Sequence, residues 1–113
     1  MKPTPGTAAW YAQLTEDIID PERPIIDPHH HLWFGNRWTQ GAPYLLDDLW
    51  TDTESGHNIK KTVYIECRSS YRESGPDHLK PVGETEFVAN IARQSAAAGL
   101  TNAVISGIVS HLG

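Results

Sequence analysis

The run from Pro24 to Trp33 reads PIIDPHHHLW and predicts a short buried strand whose last residues carry a polar cluster. Successive side chains of a strand point to opposite faces. His29 and His31 are therefore expected on one face, with Asp27 behind them, and His30 on the other. A strand that begins apolar and ends in such a cluster predicts a functional site at its carboxyl end.

Two imidazoles on one face favour a metal site, because the neutral His nitrogen is a good ligand for zinc and related divalent ions. The alternative interpretation is that these histidines are hydrogen-bonded core residues near a strand end. A remnant of a purification tag is disfavoured, because the histidine run is three residues long, internal and framed by a strand pattern. The same-face geometry favours the metal or catalytic interpretation.

The composition is typical of one small globular domain. Of the 113 residues, 39% are hydrophobic and 20% charged, which is enough for a core and too apolar for disorder. The net charge is −5 with neutral histidines, and the longest basic cluster is Lys60-Lys61, which argues against a nucleic-acid partner. No apolar run reaches the ~18 residues of a membrane span. Cys67 is the single cysteine, so no intrachain disulfide forms, and we expect a cytoplasmic protein without a membrane partner.

Strand and helix patterns alternate along the chain, which predicts an α/β fold with parallel strands, preceded by a short amino-terminal helix. The predicted elements are the helix Thr7–Asp20, the strand Ile25–His31, the helix Tyr44–Thr53, the strand Lys61–Cys67, the helix Glu84–Ala98 and the strand Ala103–Val109. Polar side chains close each strand, at His31, Glu66 and His111. Active sites of parallel α/β folds lie outside the carboxyl ends of the strands, so these groups are expected to converge.

The D-x-H-x-H motif from Asp27 to His31 resembles the opening signature of the amidohydrolase superfamily, and most closely the amidohydrolase-2 group of predicted TIM-barrel metal-dependent hydrolases. Other metal-dependent barrels, such as the phosphoesterases of the PHP type, also begin with H-x-H, so the downstream sequence carries much of the specificity. The likeness covers nearly the whole chain after Ile25. Its further blocks are residues 44–49, 55–58, 66–68, 71–72 and 81–88.

This resemblance implies a (β/α)₈ barrel with one divalent metal ion, usually zinc, and with His29 and His31 as two of its ligands. In such relatives further histidines come from the fifth and sixth strands, and an aspartate from the eighth strand activates the water. A complete barrel takes about 250 residues. We therefore expect residues 1–113 to be the β-α-β-α-β amino-terminal part of such a barrel, with residues 1–23 as a lead-in. Alone, this fragment is expected to be inactive, because it lacks the further ligands, and marginally stable, because its sheet edge is open.

The implied activity is hydrolysis, in which a metal-activated water attacks the carbonyl of a small-molecule ester, lactone or amide, with a carboxylate on some substrates. Some relatives are decarboxylases, and some similar lactonases dispense with metal, so carbon–carbon cleavage is an alternative. A third alternative is a non-catalytic α/β binding or assembly module. A homo-oligomer is compatible with each of these.

Three side chains near the end of the second strand are candidates for contact with the substrate. Glu66 is the candidate catalytic residue, which orients substrate or assists proton transfer; the alternative is a buried glutamate paired with Arg68 or Lys61. Arg68 and Arg72 carry the guanidinium fork that matches a substrate carboxylate, or they pair with acidic neighbours.

Two further residues complete the predicted substrate-binding set. Trp33 opens an aromatic loop, Trp33–Pro43, which either forms a pocket wall or packs on its own side chains. His111 follows the third strand and is expected at the same end of the sheet. Cys67 is interpreted as a small buried residue rather than a nucleophile, because no local basic partner lowers its pKa.

Overall fold

The computed structural model describes residues 2–35, 41–99 and 102–112. Their order confirms the predicted α/β arrangement of alternating strands and helices. The elements are α1 (Ala8–Tyr11), β1 (Pro24–His30), α2 (Leu46–Thr53), β2 (Asn58–Ile65), a 3-10 turn (Asp77–Leu79), α3 (Val82–Ala97) and β3 (Val104–Val109).

The three strands form one parallel sheet in the order β1-β2-β3, with β2 in the centre. Each strand reaches the next through a helix, α2 or α3, as a parallel pair requires. Between β1 and β2 the register shifts after the pair Asp27–Thr62 and resumes at His30–Tyr64. Pro28 lies inside this shift and has no N–H for the ladder, which explains the irregular pairing at the end of β1.

Both helices share one hydrophobic core with the sheet. This core joins the segment just after β1 and the carboxyl end of β2 to α2, α3 and β3. Its buried members are Leu32, Leu49, Tyr64, Val88, Ile91 and Ile105. Apolar side chains on the two outer strands are less covered, since Ile26 on β1 is 61% exposed and Val109 on β3 is 48% exposed. The core therefore lies between the sheet and helices α2 and α3, and among the described residues β1 and β3 each have a strand neighbour on one side only.

The first helix and the second strand differ most from the sequence prediction. The helix expected over Thr7–Asp20 is wrong beyond Tyr11, because α1 buries none of its residues and a short helix without tertiary packing is marginal in water. The second strand begins at Asn58 rather than Lys61, since Asn58 pairs with Pro24. It ends at Ile65, before Cys67, whose N–H donates to a side chain of α3 instead of a strand.

Ser95 ties α3 to the edge strand β3. Its side chain is fully buried, and its hydroxyl donates to the carbonyl of Ala92 at 2.8 Å. The same oxygen accepts the N–H of Ile105 at 3.0 Å. Strand β3 has a strand neighbour on one side only among the described residues, so this contact satisfies a buried amide that the sheet does not pair.

Ser95→Ala is expected to lower the free energy of unfolding by about 1–3 kcal/mol, because the buried N–H of Ile105 loses its acceptor. Urea unfolding followed by circular dichroism measures this loss. Ser106→Ala on the exposed side of β3 is the matched control, with an expected change within about 0.5 kcal/mol. Equal stability of the two variants would contradict the role assigned to Ser95.

Gly83 lets α3 begin in direct contact with the loop after β2. A Cβ atom at this position would lie 2.5 Å from the backbone nitrogen of Arg72 and 2.6 Å from the backbone oxygen of Ser70. Both neighbours are backbone atoms, so neither can rotate away as a flexible side chain does. The close approach of helix and loop therefore requires glycine.

Gly83→Ala is expected to destabilise the fold by about 1–3 kcal/mol through overpacking, although the same change at a free helix position stabilises by about 1 kcal/mol. Gln94→Ala on the exposed side of α3 serves as the control with no close contact to relieve. The urea midpoints of the three proteins give the comparison. An increase in stability for Gly83→Ala would mean that the loop does not pack on α3 as described.

Candidate functional site

His29 and His31 bring their ring nitrogens together at the end of β1. Their Nε2 atoms lie 3.2 Å apart, and the two rings stand nearly perpendicular. The Nδ1 atom of His31 lies 2.8 Å from the backbone oxygen of Ile65 on β2. A carbonyl oxygen only accepts, so Nδ1 of His31 carries the hydrogen, and a neutral ring then has its free lone pair on Nε2.

The distance between these two Nε2 atoms suits a pair of ligands on one ion. Two nitrogens at about 2.05 Å from a tetrahedral zinc ion lie about 3.3 Å apart, close to the observed 3.2 Å. Two bare lone pairs at this distance would repel each other. The arrangement therefore requires a proton or a cation between the rings. Metal-bound histidines usually donate their other ring N–H to a carbonyl or carboxylate, and the carbonyl of Ile65 accepts this hydrogen bond from His31.

The described residues supply two donors to this site and not three. No group of three or more His, Cys, Asp or Glu side chains able to hold a metal occurs within residues 2–35, 41–99 and 102–112. Asp27, which the sequence puts behind the histidines, accepts the backbone N–H of His29 at 3.1 Å through Oδ1. Asp27 therefore contacts the backbone of His29, the first of the two candidate ligands.

His30 points away from this pair, as the strand alternation predicts. It is 8% exposed, and its Nε2 lies 3.0 Å from the hydroxyl oxygen of Thr62 on β2. Burial lowers the pKa of His30 below its ordinary value, which favours the neutral ring. His30 is therefore a hydrogen-bonded core residue, as the alternative interpretation of the histidine run predicts.

A cleft of about 580 Å³ opens at the carboxyl ends of the strands, beside the histidine pair. It brings together most of the predicted site residues from all three strand ends, as expected for a parallel sheet. The lining residues are His31, Trp33, Glu66, Cys67, Arg68, Tyr71 and His111. His29 does not line this cleft, but it contacts His31, which does.

Glu66 and His111 lie close together within the cleft, with 3.2 Å between Oε2 and Nδ1. The two atoms are close but not aligned as a hydrogen bond, since Oε2 of Glu66 has no hydrogen-bond partner among the described residues. This carboxylate belongs to the end of β2 and the imidazole to the segment after β3. A carboxylate beside an imidazole is a pair that can take up and release a proton.

Trp33 is both a wall of the cleft and a packed residue. Its ring stacks on His31, with the ring centres 6.1 Å apart. Its backbone exchanges two hydrogen bonds with Tyr44, which fix the entry to the loop. Arg37 and Trp38, also counted in the predicted aromatic loop, lie outside the described residues.

Arg72 lies away from the cleft. Its guanidinium pairs with Glu86 on α3 at 2.6 Å, so it follows the alternative in which it binds an acidic neighbour. Arg68 does line the cleft. Of the two arginines, Arg68 is thus the one positioned for an anionic group.

Sequence reasoning missed Tyr71 as a cleft residue and Glu84 as a buried acid, and Cys67, expected to be buried, is half-buried at the cleft. Tyr71 and Cys67 line the cleft, and burial raises the pKa of the Cys67 thiol, which suits an inert thiol. Glu84 is 3% exposed, although its place in the first turn of α3 predicts only a favourable helix dipole. Glu84 lies in the block of likeness at residues 81–88, but its hydrogen-bond partners could not be predicted because they are distant in sequence.

Comparison with known proteins gives no assignment. No protein-family model, curated protein or solved structure matches this chain. Within the described residues, no helix has the length and apolar character needed to cross a lipid bilayer. The likeness to the amidohydrolase-2 group therefore stays a prediction based on the motif blocks and on the site geometry.

Proposed function

We propose that this chain supplies two ligands, His29 and His31, to the divalent metal centre of an amidohydrolase-type hydrolase, with zinc as the favoured ion. The observation that carries the proposal is the 3.2 Å approach of the two Nε2 atoms, together with the Nδ1 contact of His31 to Ile65. A hydrogen bond between the two rings accounts for the same distance, and the zinc-binding test below distinguishes it from metal ligation. The pairing and the fixed tautomer both suit metal ligation.

When bound, a divalent ion polarises a substrate carbonyl and makes water a strong nucleophile near neutral pH. The residues of this chain hold and orient the two histidine ligands. Ile65 fixes the ring of His31 through its carbonyl, and Asp27 fixes the backbone of His29. Both ligands are thereby set before any ion arrives, which lowers the ordering cost of binding.

The remaining cleft residues suit a polar carbonyl substrate with an acidic group. Glu66 and His111, 3.2 Å apart, are positioned to move a proton to or from a group bound in the cleft. Arg68 offers its guanidinium to a substrate carboxylate. Trp33, stacked on His31, gives the substrate an apolar wall.

A barrel origin is part of this proposal. Three parallel strands in sequential order, with a helix between each pair, match the start of a (β/α)₈ barrel, whose active site lies at the carboxyl ends of the strands. A catalytic zinc ion takes three protein ligands and one water, so the proposal requires further donors beyond the described residues.

The metal proposal predicts one Zn²⁺ per molecule in a protein that contains this chain together with the remaining ligands, measured by equilibrium dialysis and elemental analysis. The double variant His29→Ala/His31→Ala is expected to lose at least about tenfold in affinity, because both nitrogen ligands are gone. The matched control is His57→Ala/His78→Ala, which removes two exposed histidines elsewhere and should bind like wild type. Unchanged Zn²⁺ content in His29→Ala/His31→Ala would remove these residues as ligands.

The reaction is tested in a protein that also carries the remaining ligands. We expect acid release from esters, lactones or amides, recorded by pH-stat, and loss of this activity in His29→Ala/His31→Ala. Release of CO₂ from a carboxylate-bearing substrate, without acid release, would instead assign the site to carbon–carbon cleavage.

A further inference from the structure

Glu84 is a buried carboxylate that the cleft chemistry does not use. It belongs to the first turn of α3 and is 3% exposed. Its Oε2 accepts three hydrogen bonds from the end of β2 and the loop that follows. The donors are the hydroxyl of Tyr64 at 2.7 Å, the N–H of Cys67 at 2.9 Å and the N–H of Ser69 at 3.1 Å.

The loop held by these bonds has an unusual backbone. Arg68 and Ser70 have φ values of +65° and +57°, in the left-handed region that residues other than glycine rarely adopt. Such conformations cost free energy and persist where the surroundings enforce them. Because Cys67 and Ser69 flank Arg68, the carboxylate of Glu84 holds the amide on each side of the strained residue.

The same strand end also contacts the histidine pair. The ring of Tyr64 meets the ring of His31 edge to face, with centres 6.3 Å apart. The next residue, Ile65, provides the carbonyl that holds Nδ1 of His31. The hydroxyl of Tyr64 is in turn held by Glu84. One buried carboxylate therefore anchors a segment that touches the histidine pair at one end and carries Arg68 at the other.

We propose that Glu84 is a positioning residue, which enforces the left-handed conformation of Arg68 and thereby presents this side chain to the cleft. The assignment of the cleft as a substrate site rests on the proposed function, whereas the anchoring of the loop does not. A carboxylate suits this place better than a neutral group, since a charged acceptor makes stronger hydrogen bonds to three converging donors.

Two measurements on the loop test this role of Glu84. Cys67 is the single cysteine of the chain, and its half-buried thiol lies 3.4 Å from the hydroxyl of Tyr64. Opening of the loop breaks this contact and should raise the rate at which iodoacetamide alkylates Cys67. Hydrogen exchange of the Cys67 and Ser69 amides, followed by NMR, reports the two backbone bonds directly. Neither readout needs a substrate or a metal ion.

The test compares Glu84→Ala, which removes the acceptor, with Glu84→Gln, which keeps one oxygen but no charge. We expect exchange of the two amides and alkylation of Cys67 to rise by about tenfold or more in Glu84→Ala, because local opening follows the lost hydrogen bonds. Glu84→Gln should lie between Glu84→Ala and wild type, and it keeps the test valid if the alanine variant does not fold.

Two controls separate positioning from loss of stability. Glu86→Gln makes the same chemical change on α3 at an exposed ion pair with Arg72 and should leave both rates unchanged. Ser95→Ala weakens the fold away from the loop and should also leave them within about twofold at equal solvent conditions, since local opening is independent of the distant site.

Wild-type protection of both amides in Glu84→Gln would overturn the proposal. An equal rise of both rates in Ser95→Ala would also overturn it, because Glu84 would then act only through global stability. Absence of Zn²⁺ binding in the wild-type protein that carries the remaining ligands, with the loop rates behaving as expected, would refute the proposed function and leave the anchoring role intact.

Discussion

The candidate site depends on the hydrogen bond from Nδ1 of His31 to the carbonyl of Ile65, at 2.8 Å. This bond crosses from β1 to β2 beyond the last paired residues of the strands. It fixes which nitrogen of His31 carries the hydrogen, and it turns Nε2 toward His29. Without this bond, His29 and His31 would lie on the same face of the strand, but their Nε2 atoms would not be directed at one point.

The end of β2 serves several partners at once because its pairing with β1 stops after Tyr64, whereas Ile65 still pairs with Val109 of β3. The carbonyl of Ile65 accepts a hydrogen bond from His31, whereas the N–H groups of Cys67 and Ser69 donate to the carboxylate of Glu84. An ordinary continuation of the ladder would have used these groups within the sheet. The early strand end is thus the feature that frees backbone groups for the cleft, and Glu84 compensates for their loss of strand partners.

The sequence was sufficient for features governed by local periodicity. The alternation of β1 predicts that His29 and His31 share a face while His30 turns inward, and parallel connectivity predicts that Glu66 and His111 meet. Contacts between distant residues were not predictable in this way. Arg72 with Glu86 and Glu84 with Cys67 depend on how α3 packs on the loop, and the amino-terminal helix ended early for lack of tertiary packing.

The central claim is that His29 and His31 direct two Nε2 lone pairs at one cation. Long-range ¹H–¹⁵N NMR of the imidazole nitrogens at about pH 8, above the usual histidine pKa, tests it most directly. The structure predicts that His31 has its hydrogen on Nδ1 and that Zn²⁺ shifts the Nε2 resonances of His29 and His31 together. A hydrogen on Nε2 of His31, or zinc shifts confined to His57 and His78, would contradict the account.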